Sequence, residues 1–223
     1  MTADLRLILF DVDGTLVDSQ AAIVGSMTAA FGALGLPVPE RQAILSIVGL
    51  SLPQAMARLA PDRDEAIQVQ LVQGYKDSYR DQRLAQGAAH SPLYPGAMEM
   101  LKVLHAVPEN LLGVATGKSK RGLDGLIEAH GMERLFVTRQ VADFHPSKPH
   151  PAMIHAAIDE AGVDPANCVM IGDTSFDMDM AAAAGVAGIG VSWGYHKPSA
   201  LTAARTIIDT FDQLPDALAQ IWT

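Results

Sequence analysis

The 223-residue sequence has a single cysteine, Cys168, so no disulfide can form within the chain. It sits in the apolar run Cys168-Val169-Met170-Ile171, where a small buried hydrophobe is expected in place of a nucleophile. Long hydrophobic runs are missing too. No window approaches ~18 uninterrupted apolar residues, so a membrane span is not expected. The chain does not open with a basic segment followed by an apolar stretch, which argues against a signal peptide and for a soluble, cytoplasmic protein. Positive charge is scarce: 16 Lys and Arg stand against 25 Asp and Glu, a formal net charge of −9. A nucleic-acid or anionic-membrane surface would need a basic face. A small anionic partner remains compatible, because a few local cations or one bound metal suffice. No Cys/His set is present to specify zinc. Oligomeric state is not legible.

Hydrophobic residues make up 49% and charged residues 18% of the chain, enough for a sizeable core. Short apolar runs recur at residues 5–10, 111–115, 135–138, 168–171 and 186–191, with a weaker one at 206–208. Continuous runs suit strands buried on both faces of a parallel sheet. Helical stripes lie between them: Met98, Leu101 and Leu104; Leu123, Leu126, Ile127 and His130; Ile154, Ala157, Ile158 and Ala161; and Phe211, Leu214, Leu218 and Ile221. The alternation predicts an α/β fold, a doubly wound parallel-sheet core of the Rossmann-like kind. From about residue 19 to 90 the pattern is helical throughout. Ile23, Met27, Phe31 and Leu34 share one face, with Asp18 or Ser19 as N-cap, and Ile67, Leu71, Tyr75 and Tyr79 share another. This stretch reads as an inserted α-helical cap spanning residues 17–91, with 1–16 and 92–223 forming the catalytic core.

The first strand ends in Asp11-Val12-Asp13-Gly14-Thr15. Residues i and i+2 of an extended chain point to one side, so both carboxylates can face one site. A later strand ends in Gly172-Asp173-Thr174-Ser175-Phe176-Asp177. Four carboxylates converging on one crevice need a divalent cation, and oxygen ligands specify Mg²⁺ or Mn²⁺. A third strand ends at Thr116-Gly117, offering a hydroxyl and amides to phosphate oxygens. Lys148, in Ser147-Lys148-Pro149, precedes a helix. Each feature taken alone has an ordinary explanation as a turn, a cap or a surface lysine. Together they fall in the loops where an α/β site forms.

In their order and spacing, Asp11 to Leu16, Thr116-Gly117, Lys148-Pro149 and Gly172-Asp173 through Asp177 resemble the haloacid dehalogenase-like hydrolase superfamily. The resemblance runs almost end to end and points to the helical-cap branch, phosphoglycolate phosphatase-like members above all. It implies a magnesium-dependent phosphatase of a small phosphorylated metabolite. Asp11 would be the nucleophile, forming an aspartyl phosphate, and Asp13 the acid and base. Mg²⁺ would be held by Asp11, the Asp13 backbone carbonyl and Asp173. Thr116, Gly117 and Lys148 would bind the phosphoryl group, and Asp177 would orient Lys148 or a metal-bound water. Asp13 favours phosphate esters over the carbon–halogen bonds of its cousins. A sugar-phosphate mutase is the alternative, but the turn Gly49-Leu50-Ser51-Leu52 lacks the arginine such enzymes carry. A catalytically silent binding module, or an interaction protein working through the cap, would have no use for the acid cluster. His145 and His150 are expected to serve locally, Lys76 to be a solvated helix lysine, and Trp193 to His196 to form a packed loop or the rim of the site. Arg41, Arg58, Arg80 and Arg83 fall in the cap without an assignable position.

Overall fold

A computed structural model describes residues 5–222. Its sheet contains β1 (Arg6–Phe10), β2 (Asn110–Thr116), β3 (Phe136–Val141), β4 (Cys168–Gly172), β5 (Ala187–Val191) and β6 (Thr206–Ile208). The order is β3-β2-β1-β4-β5-β6, and every pairing is parallel. The expected Rossmann-like α/β sheet is therefore present, and each apolar run became a strand. In β1, Ile8 and Phe10 enter the core cluster on one face, while Leu7 and Leu9 enter the cluster on the other. Both faces are covered, which is why the run is continuous rather than alternating. Strand β3 outlasts its apolar run because it lies at the sheet edge, where Arg139 and Gln140 are only half-buried.

Helices α5 (Ala97–His105), α6 (Lys120–His130) and α9 (Leu214–Ile221) contribute to the first cluster through Leu101, Leu104, Leu123, Leu126 and Leu218. On the other face, α7 (Ala152–Ala161) supplies Ile154 and Ala157, and α8 (Ser175–Ala183) supplies Met180 and Ala181. Among the described residues, no helix is long and apolar enough to cross a membrane.

Between β1 and α5 the chain forms α1 (Gln20–Ala33), α2 (Arg41–Leu45), α3 (Leu52–Leu59) and α4 (Glu65–Gln86). These helices have a core of their own, built from Ile23, Met27, Phe31, Ile44, Met56 and Leu71. Helix α4 starts where the Asp64 carboxylate accepts from the Ile67 amide at 2.9 Å. Ser19 occupies the N-cap position of α1, but its side chain makes no cap bond and turns toward Asp13 instead. The chain leaves and re-enters the sheet layer side by side: the Asp18 amide donates to Pro92 O at 2.8 Å and the Tyr94 amide to Leu16 O at 2.9 Å.

Candidate active site

Strand β1 sits between β2 and β4, and the chain winds outward from it in both directions. Helices leaving neighbouring strands toward opposite faces open a crevice at the carboxyl ends of those strands. Asp11 follows β1, Thr116 ends β2 and Asp173 follows β4. Lys148 reaches the same place from the loop between β3 and α7, and Asp177 from the first turn of α8.

Asp177 is held by a reciprocal cap. Its Oδ2 accepts from the Thr174 amide at 3.0 Å and the Thr174 hydroxyl at 2.7 Å, while the Asp177 amide donates back to Thr174 Oγ1 at 3.3 Å. Only Oδ1 remains, and it receives Lys148 Nζ at 2.5 Å. The same ammonium lies 2.9 Å from Asp11 Oδ1. That contact is a close ion pair off hydrogen-bond alignment, so neither Asp11 oxygen has a hydrogen-bond partner. Lys148, Asp173 and Asp177 are fully buried and Asp11 nearly so. Asp173 accepts from the Thr15 hydroxyl at 3.0 Å and the Tyr195 amide at 2.8 Å. A Cβ at Gly194 would overlap the Asp173 side chain, so only glycine lets the backbone pass there.

Burial raises the Asp11 carboxyl to about 6, with Asp177 adding to the rise and Lys148 opposing it. Asp173 is raised well above the carboxylate range, first by burial and then by Asp177 and Asp11. For Lys148, burial disfavours the charged form, but Asp11 and Asp177 outweigh it and its pKa rises. One ammonium thus pairs with two of the three buried acids, and Asp173 has no cation beside it. One oxygen from each of Asp11, Asp173 and Asp177 falls within 4.8 Å of the others, so the group could hold a metal ion. Lys148 compensates Asp11 Oδ1 as an ion pair, but neither Asp11 oxygen accepts a hydrogen bond, which is costly for a buried carboxylate. An all-oxygen donor set fits a hard divalent ion.

Asp13 stands apart from this cluster. Lys118 Nζ donates to its Oδ1 at 2.7 Å and Oδ2 at 2.8 Å, and the Ser19 hydroxyl donates to Oδ1 at 2.5 Å. Ser19 in turn meets the Tyr195 hydroxyl, 2.9 Å from its Oγ and 3.0 Å from its amide. Lys118 spends its third donor on the Tyr79 hydroxyl of α4 at 2.9 Å. The Asp13 carboxylate is thus bound away from the other acids, and the carboxylates that gather are three, not the four the sequence suggested. Thr116 accepts from the Lys118 amide at 3.3 Å, leaving its own proton to be donated elsewhere.

Asp11, Asp13, Thr116, Gly117 and Lys118 line a cavity of about 360 Å³ roofed by the helical stretch. Lys148, Asp173 and Asp177 are fully buried and do not line it, Lys148 standing behind Asp11. The roof is seated. A Cβ on Gly117 would stand 2.6 Å from Gly49 O, and the Ser51 amide donates to the Ser147 hydroxyl at 2.8 Å.

Sequence reasoning missed Lys118, Ser19, Tyr79 and Tyr195. Lys118 stands beside Thr116-Gly117, and its place next to a strand end was the available signal. The others looked like a cap, a helix face and a loop. His145 and His150 have local partners, Gln140 Oε1 at 2.8 Å and the Ala152 amide at 3.2 Å. Trp193 donates to Thr15 O at 3.1 Å and packs against the sheet core, and the Tyr195 amide reaches Asp173, but none of residues 193–196 lines the cavity. Arg41 bonds Gln20, Arg58 lies over the Phe176 ring, and Arg80 pairs with Asp77 and Asp81. Arg83 and Lys76 line the cavity.

Sheet order, flanking helices and a buried acid–lysine cluster at the switch point define a Rossmann-like α/β protein with an inserted helical layer. Comparison with known proteins goes one step further. The family described as "Haloacid dehalogenase-like hydrolase" matches residues 8–191, and the chain belongs to it. The "Probable phosphatase IndB" of Dickeya dadantii (strain 3937) is 38% identical over 217 residues, covering 95% of this chain and 92% of that protein. A "Phosphoglycolate phosphatase" of Vibrio vulnificus (strain YJ016) is 28% identical over 227 residues, covering 98% and 95%. The crystal structure of a "predicted phosphoglycolate phosphatase" from Haemophilus somnus 129PT superposes with a TM-score of 0.84 at 25% identity, covering 97% of this chain and 99% of that one.

Proposed function

We propose that the protein is a magnesium-dependent phosphatase that releases phosphate from a small phosphomonoester through an aspartyl phosphate on Asp11. The observation that carries this reading is Asp11 itself: a buried carboxylate with no hydrogen bond to either oxygen, at the base of a cavity beside a lysine. A structural aspartate would have its oxygens occupied; a nucleophile needs them available. Asp11 and Asp173, with the backbone carbonyl of Asp13, would hold Mg²⁺. The ion, when bound, would neutralise Asp11 and a phosphoryl oxygen so that a carboxylate can approach a dianion.

The chain's own residues supply the rest. An Asp11 oxygen bonds to phosphorus as the ester P–O bond breaks, and Asp13 gives a proton to the departing alcohol oxygen. Asp13 then takes a proton from water, whose oxygen attacks phosphorus and releases Asp11 as a carboxylate. Lys118 pairs with both Asp13 oxygens, so proton delivery requires this pair to loosen as substrate enters. Lys148, Thr116 and Gly117 stabilise the phosphoryl oxygens, with Asp177 fixing Lys148 in place. Residues 17–91 act as a cap over 1–16 and 92–223, excluding water during the first step. We place the enzyme among soluble cytoplasmic proteins, in keeping with a single cysteine that can form no disulfide within the chain. The names of its relatives make phosphoglycolate the first ester to try.

Phosphate release is measured on a panel of small phosphoesters with Mg²⁺, with chelator, and with Asp11→Asn. The expected outcome is metal-dependent release that disappears in the variant. Folded protein with Mg²⁺ that releases phosphate from no ester would overturn the reading.

A further inference from the structure

The cavity above Asp11 is larger than a two-carbon acid needs. Its volume of about 360 Å³ equals about a dozen waters at ~30 Å³ each, within the ~300–1,000 Å³ range of pockets for drug-sized ligands. A gaping cap does not account for this volume, because the turn at Gly49 touches the sheet loops and Tyr79 touches Lys118. One wall is apolar, formed by Ile23, Met27, Val48, Leu50 and Leu52. Such a wall binds no part of a phosphate; it suits a hydrophobic body beyond it.

Elsewhere the cavity is charged, with cations outnumbering the acids Asp77 and Asp143. Lys76, Arg83 and Arg121 line it, and among the described residues none of the three has a carboxylate partner within ion-pair distance. The other cations at this cavity, Lys118 and Arg80, are spent on Asp13 and on Asp77 and Asp81. Lys76 and Arg121 are exposed and Arg83 half-buried, so all three side chains are free to meet an anion that enters the cavity. Arg83 and Arg121 also line an outer groove with Lys120, Phe144 and the acids Asp124, Glu128 and Asp143, a groove that does not include Asp11. They therefore stand where the cavity opens outward, away from the acid cluster. Arg83 is half-buried against α6, and a Cβ at Gly125 would overlap its guanidinium.

We propose that Arg83 and Arg121, with Lys76 at the mouth, form a subsite for a second anionic group, so that the substrate is an extended phosphomonoester. Its phosphate lies at Asp11, an apolar body runs along the cap wall, and a carboxylate or second phosphate ends at the arginines. Planar guanidinium groups suit either oxyanion. This inference rests on the phosphatase reading and narrows its substrate class.

The test compares kcat/KM for phenyl phosphate, 4-carboxyphenyl phosphate, 1,6-hexanediol bisphosphate and phosphoglycolate in wild type, Arg83→Gln and Arg121→Gln. In wild type the esters with a distant anion should exceed both phenyl phosphate and phosphoglycolate. Which of the carboxylate and the bisphosphate leads identifies the oxyanion. In each variant the ratio of kcat/KM for 4-carboxyphenyl over phenyl phosphate should fall about tenfold, through KM, the size of a charge-assisted bond at a half-buried site. Arg121 is exposed, so its variant keeps the test open if Arg83→Gln folds poorly. Turnover of all four esters with phosphoglycolate leading, or with variant ratios unchanged, sinks the subsite and leaves the phosphatase reading standing. Turnover of none of them sinks both.

Discussion

Lys148 offsets two buried acids at once, Asp11 and Asp177. Replacing it by Met leaves both uncompensated, and breaking a buried ion pair from one side costs about 3–5 kcal/mol. Denaturant unfolding of Lys148→Met in chelator is expected to show a loss of that size, with phosphate release down by about 10²-fold or more. On the proposed mechanism Lys118, bonded to both Asp13 oxygens, would act through Asp13 as a positioning residue. If its pair serves the leaving group, Lys118→Met should slow alkyl phosphates more than p-nitrophenyl phosphate, whose leaving group needs no proton. Equal slowing of both would remove that role. Asp11 gives a pH signature. Its folded value of about 6 lies above the ordinary 3.8, so the metal-free native state holds a proton that the unfolded chain has released. Stability from this group therefore falls as pH rises between those values, by about 3 kcal/mol over ~2 units, and Asp173 acts in the same direction. The unfolding free energy of wild type minus that of Asp11→Asn, followed in chelator from about pH 4 to about pH 7, should decline; a flat difference would contradict the burial argument. Asp11, Asp173, Lys148 and Asp177 were legible because each sits at a strand end or helix start in a recognisable string. Ser19, Tyr79 and Tyr195 were not, because Tyr195 lies 176 residues from Ser19 and only folding makes them neighbours.

Short apolar runs bounded by glycine or polar residues located every strand among the described residues, because strands covered on both faces leave little polar alternation to mislead. The edge strand β3 was underread for the complementary reason: its outer positions tolerate Arg139 and Gln140. Ser19 illustrates how a local signal is outbid. A serine before a helix is ordinarily a cap, yet here a carboxylate six residues back takes its hydroxyl. The contact between the Gly49 turn and Gly117 is the seam where the two layers meet. Gly117→Ala would place a Cβ 2.6 Å from Gly49 O and 2.9 Å from Leu50 O, and backbone atoms cannot swing aside as a side chain can. A cost of about 1–3 kcal/mol is expected. Amide exchange should quicken around residues 48–52 while the sheet stays protected; unchanged exchange at that turn would show that the seam is looser than its distances imply.

At the scale of the molecule, a cation held by the acid cluster would stabilise the fold. An ion at 100 times its Kd adds about 2.7 kcal/mol, which for a domain of this length is a rise of about 5–10 °C in Tm. Thermal melts with Mg²⁺ and with chelator should differ by that much in wild type and coincide in Asp173→Asn; coincidence in wild type would refute the metal site. The helical layer meets the sheet layer through the pair of crossings at Leu16, Asp18, Pro92 and Tyr94, hydrogen-bonded to one another like rungs of a short ladder. For the sheet, everything between those rungs is a single excursion whose ends already touch. Such a segment behaves as a cassette: its roof, with the apolar wall and Arg83, can be exchanged for a relative's at two adjacent splice points while strand order and acid cluster keep their register. On the proposed function, a change of substrate would then come from transplanting the roof and would leave the acid cluster beneath it untouched.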